Sequence, residues 1–572
     1  MMKNFFLTLF YSLSSILCAY SQFNNWKITP PLNFETTLSG SYAELRQGHF
    51  HGGLDFRTGG MENKPVYAID EGYIARINIS PRGYGKAVYI NHPNGYTTLY
   101  GHLNGFVPEL DAMVKKLQYE KRTFEIEITF QPEDYPIRRG EQFAVSGNTG
   151  SSGGPHLHFE IRKTDDEILC NPLLLNRYLN LQDDRPPRIL GVKIYGMNEM
   201  GLVNGAQQQK FVVETTKAKK QVLRGGNDIK VWGEIGFAIK ANDYMTGTNF
   251  KHTPRTLKLF VDNELVSEVK LENIKLTDSR ALNSFVDYPH LMQTGEFFMK
   301  FFPDANSPLT VFKQTKNNGV YTIAEEKPYA VRMEVFDDFG LSDEISFTIE
   351  GKQTEIPVAP KKPRYLLSCR NNESHLFERK DFLFFFPENA LYTDIDLRYR
   401  KTEDSTFYSS VHEIGNNNIP LHVNCDISIK VTNDTVTDKR KYFIAKLKKE
   451  NGIFGSAGGT YINGFMVGKT VGFGKFAVAI DTVAPTITPL NTTELNKRPF
   501  LQFKILDDLS GIGRYDGYID GKWALFEMDA KTNTITYWLT DEDKKQNREH
   551  DVKIEITDLC GNKAEFEKTV FF

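Results

Sequence analysis

Cysteine is scarce, charge bias is absent, and long apolar runs are missing beyond the first residues of this 572-residue chain. Five cysteines, none in a Cys-x-x-Cys pair, exclude the thiolate zinc sites of fingers and ribbons. A formal net charge of -3 and a pI near 6.5 leave no electrostatic footprint for nucleic acid. Short basic runs such as Lys217 to Lys220 are interrupted and read as solvated surface. No stretch after residue 21 approaches the roughly 20 apolar residues that span a bilayer, so no transmembrane segment is expected. The helical zinc motif His-Glu-x-x-His is also missing.

The first 21 residues differ in kind. Lys3 supplies a positive start, Phe5 to Leu17 is largely apolar, and Ala19-Tyr20-Ser21 puts small residues at both cleavage subsites. That pattern is a secretory signal peptide over 1-21, and it predicts an exported protein of the periplasm, envelope or medium. Cys18 follows Leu17, where a lipidation signal wants a small residue, so lipidation is not expected. Cys170, Cys369, Cys425 and Cys560 remain in the mature chain. Cys369 and Cys425 are the only two within one expected module, and unpaired buried thiols are an equally good reading.

Three proline-bearing junctions divide the rest: Asp183-Asp184-Arg185-Pro186-Pro187, Ile356-Pro357-Val358-Ala359-Pro360 and Asp481-Thr482-Val483-Ala484-Pro485. Prolines remove backbone donors and disfavour a continuing sheet. They predict a first domain at 22-183 and modules at 184-355, 356-481 and 482-572. Short alternating strands such as Leu257 to Val261, Phe382 to Phe386 and Val552 to Thr557 make the fold class mainly β. A weak repeat aligns Met333 to Gly340 with Ile554 to Gly561, and Ile239 to Asp243 with Lys504 to Asp508. Strand, acidic turn, glycine and strand describe a hairpin at the edge of a sandwich, so about three immunoglobulin-like β-sandwich modules are expected. Their aspartates are read first as turn formers, with calcium the alternative. One region departs from strands. Leu110, Met113, Val114 and Leu117 follow helical spacing after Pro108, which predicts a short helix at about 108 to 120.

Histidines cluster in the first domain. They stand in Arg46-Gln47-Gly48-His49-Phe50-His51-Gly52-Gly53-Leu54-Asp55, in Tyr100-Gly101-His102-Leu103 and in Gly154-Pro155-His156-Leu157-His158-Phe159-Glu160. In the last segment Leu157, Phe159 and Ile161 alternate with His156, His158, Glu160 and Arg162. A strand would send the apolar set to the core and both imidazoles to the opposite face. A catalytic zinc site needs about three N/O ligands and one open position. His158 can supply one ligand and His51 with Asp55 the other two, Gly52 and Gly53 letting the backbone approach the metal. His102 and His156 are then left to act on water and substrate. His49, two residues before His51, is a rival ligand, and His92 at a hairpin loop reads as a turn residue.

These segments, in this order over about residues 45 to 175, resemble the lysostaphin and LytM type of murein zinc metallopeptidase. The intervening Pro65-Val66-Tyr67-Ala68 and Gly95-Tyr96 belong to the same likeness. The resemblance implies a groove over an antiparallel sheet, one Zn2+ per chain held by His51, Asp55 and His158, and His102 and His156 as the catalytic pair. It implies hydrolysis of peptidoglycan stem peptides and cross-links. The absence of a wall-targeting module of the glycine-bridge kind favours the D-alanyl cross-link. The stretch from Leu103 to Arg138 is longer than the usual connection and reads as a surface elaboration. The alternative is a non-hydrolytic, peptidase-like scaffold or activator of other wall hydrolases, and the β-sandwich modules are candidate docking points for envelope proteins.

Overall fold

Alternation of apolar and polar residues is the pattern that the chain obeys most widely, and half of it forms strands (49%) against 10% helix. The computed structural model describes residues 23-572 other than 24, 199, 217-219, 227, 354-366, 494 and 496. The expected signal peptide at 1-21, residues 217-219 of the short basic run and the junction at 356-360 lie outside the described residues. Among the described residues no helix is long and apolar enough to cross a membrane.

The histidine-bearing sheet is built from β1 (Leu38–Gly40), β2 (Leu54–Arg57), β3 (Gly72–Ile79), β4 (Lys86–Asn91), β5 (Tyr96–Phe106), β6 (Gln142–Ser146) and β7 (His156–Lys163). Its central order is β1-β2-β7-β5-β4-β3, and β6 pairs with β5; each of these pairs is antiparallel. Leu157, Phe159 and Ile161 of β7 are wholly buried among Leu54, Leu99 and Tyr100. Full burial of each such side chain contributes about 1.5–3 kcal/mol, which fixes the register because a one-residue slip would turn the histidines into the core. In that register His158 stands opposite Asp55 on one side and Gly101 on the other.

Glycine is required where the His51 segment meets β7. A Cβ on Gly53 would lie 2.0 Å from the Phe159 carbonyl oxygen, and one on Gly52 would lie 2.4 Å from Glu160 Oε1. The expected close approach is therefore to the neighbouring strand rather than to a metal. Between β5 and β6 the expected helix is present as α1 (Pro108–Lys121), with Leu110 and Val114 buried. Pro108 opens it, where a fixed φ and a missing N–H cost nothing.

Contacts divide the chain into two compact units, the first of residues 1-114, 125-282 and 309-354, the second of 115-124, 283-308 and 355-572. Within the first unit, hydrogen bonding continues past the proline junction at 183-187. β8 (Ile168–Cys170) pairs with the C-terminal end of β7 and with β11 (Ile274–Lys275), a strand of the following module. That module is organised around the long β9 (Lys230–Asn242), with β10 (Thr256–Val261), β12 (Pro328–Phe336) and β13 (Ser342–Gly351) in the same sheet. Ser279 Oγ brackets the backbone of Phe50, at 3.1 Å from its N–H and 3.2 Å from its carbonyl, and Thr253 Oγ1 accepts from Leu45 N at 3.1 Å.

The second unit contains two β-sandwiches, one of two five-stranded sheets and one of two four-stranded sheets. Cys369 and Cys425 are buried free thiols and form no disulfide. The repeat is structural. Asp337 Oδ1 accepts from the N–H groups of Phe339 and Leu341, and Asp558 Oδ1 accepts from those of Cys560 and Asn562.

Two outcomes follow from this packing. Gly53→Ala is expected to prevent β2 from seating on β7, because a backbone carbonyl cannot swing aside; circular dichroism and thermal melting would register loss of the folded sheet. A chain ending at 183 loses β11, Thr253 and Ser279, contacts worth about 1 kcal/mol per hydrogen bond. It is expected to melt several degrees below a chain ending at 355, and equal melting temperatures would refute the support assigned to the module.

Candidate metal centre

Three donor atoms from two strands and a loop converge on one point. His51 Nε2 lies 3.0 Å from both His158 Nδ1 and Asp55 Oδ1, and His158 Nδ1 lies 2.8 Å from Asp55 Oδ1. All three residues are buried. Their ring tautomers are set from outside the cluster. His51 Nδ1 donates to the Ser41 carbonyl at 2.7 Å, which leaves Nε2 as a lone pair. His158 Nε2 faces Glu160 Oε1 at 2.8 Å, which leaves Nδ1 as the inward atom. With no ion bound, His158 Nδ1–H can donate to Asp55 Oδ1; once that proton is given up, two imidazole nitrogens and a carboxylate oxygen would face a cation together. At metal–ligand lengths of about 2.0–2.1 Å, tetrahedral donors stand about 3.3 Å apart, so the triangle needs to open by only a few tenths of an ångström. This group can hold a metal ion.

The other two predicted histidines flank that point. His156 shares the polar face of β7, and its Nε2 lies 3.4 Å from Asp55 Oδ1. Its Nδ1 donates to the Gly154 carbonyl at 2.8 Å. His102 reaches the site through a bulge. Tyr100 pairs with Val88 and Leu103 with Lys86, so Gly101 and His102 together oppose Ala87. His102 also adopts φ +58, a left-handed backbone rare outside glycine and asparagine. Its Nδ1 donates to the Thr149 carbonyl at 2.8 Å, and its ring centroid lies 4.7 Å from that of His156. Burial, then the neighbouring His158 and His156, push its pKa down to about 3, so the ring is neutral with Nε2 as a proton acceptor.

A ring of partners that no motif announced supports these five residues. Arg46 Nη2 donates to Asp55 Oδ2 at 2.5 Å, leaving Oδ1 for the centre. Glu160 is fully buried and accepts from Arg162 Nε and from Tyr84 OH, both at 2.7 Å. Burial opposes its ionisation, yet Arg162 and His158 hold its carboxyl well below the ordinary range. Alternation along β7 puts Glu160 and Arg162 on the histidine face; Tyr84 lies in a loop and has no such signal. His49 is exposed and takes no part in the donor group. His92 is a buried bracket, joined to the Glu71 carbonyl and Thr98 Oγ1 at 2.8 Å each, and lies apart from this group.

Comparisons with known proteins fall on the same region. Residues 49-119 match the model of peptidase family M23, and residues 367-481 match that of a Zu5-like domain. The DD-carboxypeptidase/endopeptidase Mpg of Neisseria meningitidis is 32% identical over 118 residues, covering 21% of this chain and 21% of that protein. The peptidoglycan DD-endopeptidase ShyA of Vibrio cholerae is 32% identical over 111 residues, covering 19% of this chain and 20% of that protein. The match therefore spans about a fifth of the length of these relatives. The solved catalytic domain of lysostaphin from Staphylococcus simulans aligns over 25% of this chain and 93% of its own, with 21% identity and a TM-score of 0.19. With the motifs in order and the family match lying across His51, Asp55 and His102, the N-terminal part of this chain carries a domain of peptidase family M23.

Proposed function

We propose that this protein is an exported zinc-dependent endopeptidase that hydrolyses peptide cross-links of bacterial peptidoglycan. The observation that carries the reading is the convergence of His51 Nε2, His158 Nδ1 and Asp55 Oδ1 within 3.0 Å of one another, with two further histidines beside them. His51, Asp55 and His158 would hold the ion. When bound, zinc polarises the scissile carbonyl and acidifies the attacking water.

The chain's own groups supply the rest. His102 and His156 each spend Nδ1–H on a backbone carbonyl, so each keeps Nε2 for the reacting atoms. One takes the proton of the attacking water at Nε2; the other, when it carries a proton at Nε2, donates to the developing oxyanion or gives that proton to the leaving amine, and the proton taken from water restores the pair. Arg46 neutralises the outward oxygen of Asp55 and holds the carboxylate in one orientation. Glu160 fixes the His158 ring, and Tyr84 and Arg162 fix Glu160. The bond assigned is the D-alanyl cross-link, supported by relatives whose names denote DD-endopeptidase activity.

Metal analysis and a peptidoglycan digest test the reading together. Alanine at His51, Asp55 or His158 is expected to empty the centre and abolish turnover. Alanine at His102 or His156 should leave zinc near stoichiometric while the rate falls about 10²-fold or more. Mass spectrometry of the digest should find cross-linked dimers lost. Wild-type protein that holds zinc and leaves isolated peptidoglycan intact would favour the non-hydrolytic scaffold, and cleavage confined to oligoglycine would overturn the assigned bond. The outer ring has its own test: Glu160→Gln is expected to weaken zinc affinity about 10–100-fold without removing a ligand. Unchanged affinity in a zinc-competition titration would assign Glu160 to folding alone.

A further inference from the structure

A second group of acidic side chains meets at the junction between the histidine-bearing sheet and the module that follows it. Asp183 precedes the prolines of the junction, Asp243 follows β9, and Asp337 opens the turn between β12 and β13. One carboxylate oxygen from each lies within 4.8 Å of the others. Asp243 is 9% exposed and Asp337 6%. Asp337 Oδ1 is satisfied by the Phe339 and Leu341 N–H groups, but its Oδ2 is buried with no hydrogen-bond partner, as is Asp243 Oδ1. Asp183 Oδ1 accepts from Arg185 N and Thr246 N at 3.0 and 3.2 Å.

No basic side chain answers these charges among the described residues. Arg255 is spent on Asp338 and Glu272, and the Arg185 guanidinium on the Met245 and Thr248 carbonyls and the Asn249 side chain. Without a cation, burial and then the Asp337 charge push the Asp243 pKa up to about 8. An orphaned buried carboxylate oxygen loses its hydration without compensation, at a cost comparable to several ordinary hydrogen bonds.

The repeat supplies an internal control. Asp481, Asp507 and Asp558 form the corresponding cluster at the last junction. Asp507, rather than the Asp508 aligned with Asp243, takes the middle place. There Asn562 Nδ2 donates to Asp558 Oδ2 at 2.6 Å, and Ser510 N donates to Asp481 Oδ2 at 3.1 Å. Asp507 Oδ2 accepts from Gly511 N at 2.6 Å, and none of the three residues has an orphaned oxygen. Counting four residues on from the turn aspartate, the last cluster has Asn562 and the first has Leu341. A leucine cannot supply the amide that closes the site.

We infer that Asp183, Asp243 and Asp337 form a structural site for one divalent hard cation, calcium by its all-oxygen donor set, which ties the junction at 183-187 to the module behind it. Carboxylate oxygens at flexible spacing suit calcium better than the strict octahedron of magnesium. An affinity of about 10⁻⁴–10⁻³ M is the range of extracellular modules and suits an exported protein.

The test uses the full mature chain, zinc-loaded, dialysed against calcium chloride at several concentrations, with calcium and zinc read on the same sample. Wild type is expected to take up one calcium per chain and to melt at higher temperature in calcium. Asp243→Asn and Asp337→Asn should lose that uptake about tenfold or more with zinc unchanged. Leu341→Asn, which installs the closing amide of the last cluster, should abolish the calcium-dependent rise while melting normally in calcium-free buffer. If wild type binds no calcium, and both asparagine variants melt higher than wild type in every buffer, the cluster is a pair of protonated carboxyls and the site is refuted. Zinc content and cleavage are read separately, so this failure is distinguishable from failure of the peptidase reading.

Discussion

Everything at the candidate metal centre depends on the seating of one strand between two others. β7 is paired on both sides, so His158 is opposed by Asp55 in β2 and by Gly101 in β5. That double register decides which residues can meet. Asp55 is brought beside His158 directly across the ladder, and His51 follows because only Gly52, Gly53 and Leu54 separate it from Asp55. A Cβ on Gly101 would stand 3.5 Å from His158 Cβ, ordinary van der Waals contact, so His158 packs directly against this position of β5. The apolar face of β7 holds the register, and the polar face uses it. Neither face would specify the site alone.

A buried donor cluster of this kind is costly unless its outer atoms are also satisfied. Here each ring has an outer acceptor and the Asp55 carboxylate an outer donor. Three backbone carbonyls, of Ser41, Thr149 and Gly154, orient three of the four histidines, and Glu160 orients the fourth. The arrangement leaves one inward nitrogen on every ring. Preorganisation of this type places the polar cost of the cluster in folding.

His102 was reached through the family resemblance, but that His51, Asp55, His156 and His158 come together was legible because strand alternation and short motif spacing are local properties. The same holds for α1, whose apolar spacing and opening proline sit within fourteen residues. What escaped was non-local or carried no side-chain signature. Carbonyls of Ser41, Thr149 and Gly154 have no letter in a sequence. Tyr84 reaches Glu160 across 76 positions, and β11 is two residues long, too short for any alternation. The left-handed backbone of His102 could not be read either, since nothing in Tyr100-Gly101-His102-Leu103 distinguishes a bulge from a regular strand. The role of Gly52 and Gly53 was visible as close approach, but its objects, the Glu160 side chain and the Phe159 backbone of β7, were not.

The junction prolines mark where the chain leaves the first sheet, but the polar network does not stop there. Asp55 is held by Arg46, Arg46 Nε donates to Glu44 at 3.3 Å, and Glu44 Oε2 meets His252 Nδ1 of the following module at 3.1 Å. Glu44 also accepts from Ser41 N, and the Ser41 carbonyl orients His51. Two of the three donors are therefore tied to a residue some two hundred positions away in sequence. Charge-assisted bonds in a poorly solvated path restrain geometry more strongly than surface contacts do. The mechanical unit that fixes the candidate ligands extends to wherever their outer hydrogen bonds end, whatever boundary proline and composition suggest. In this protein that end lies in the module beyond the junction.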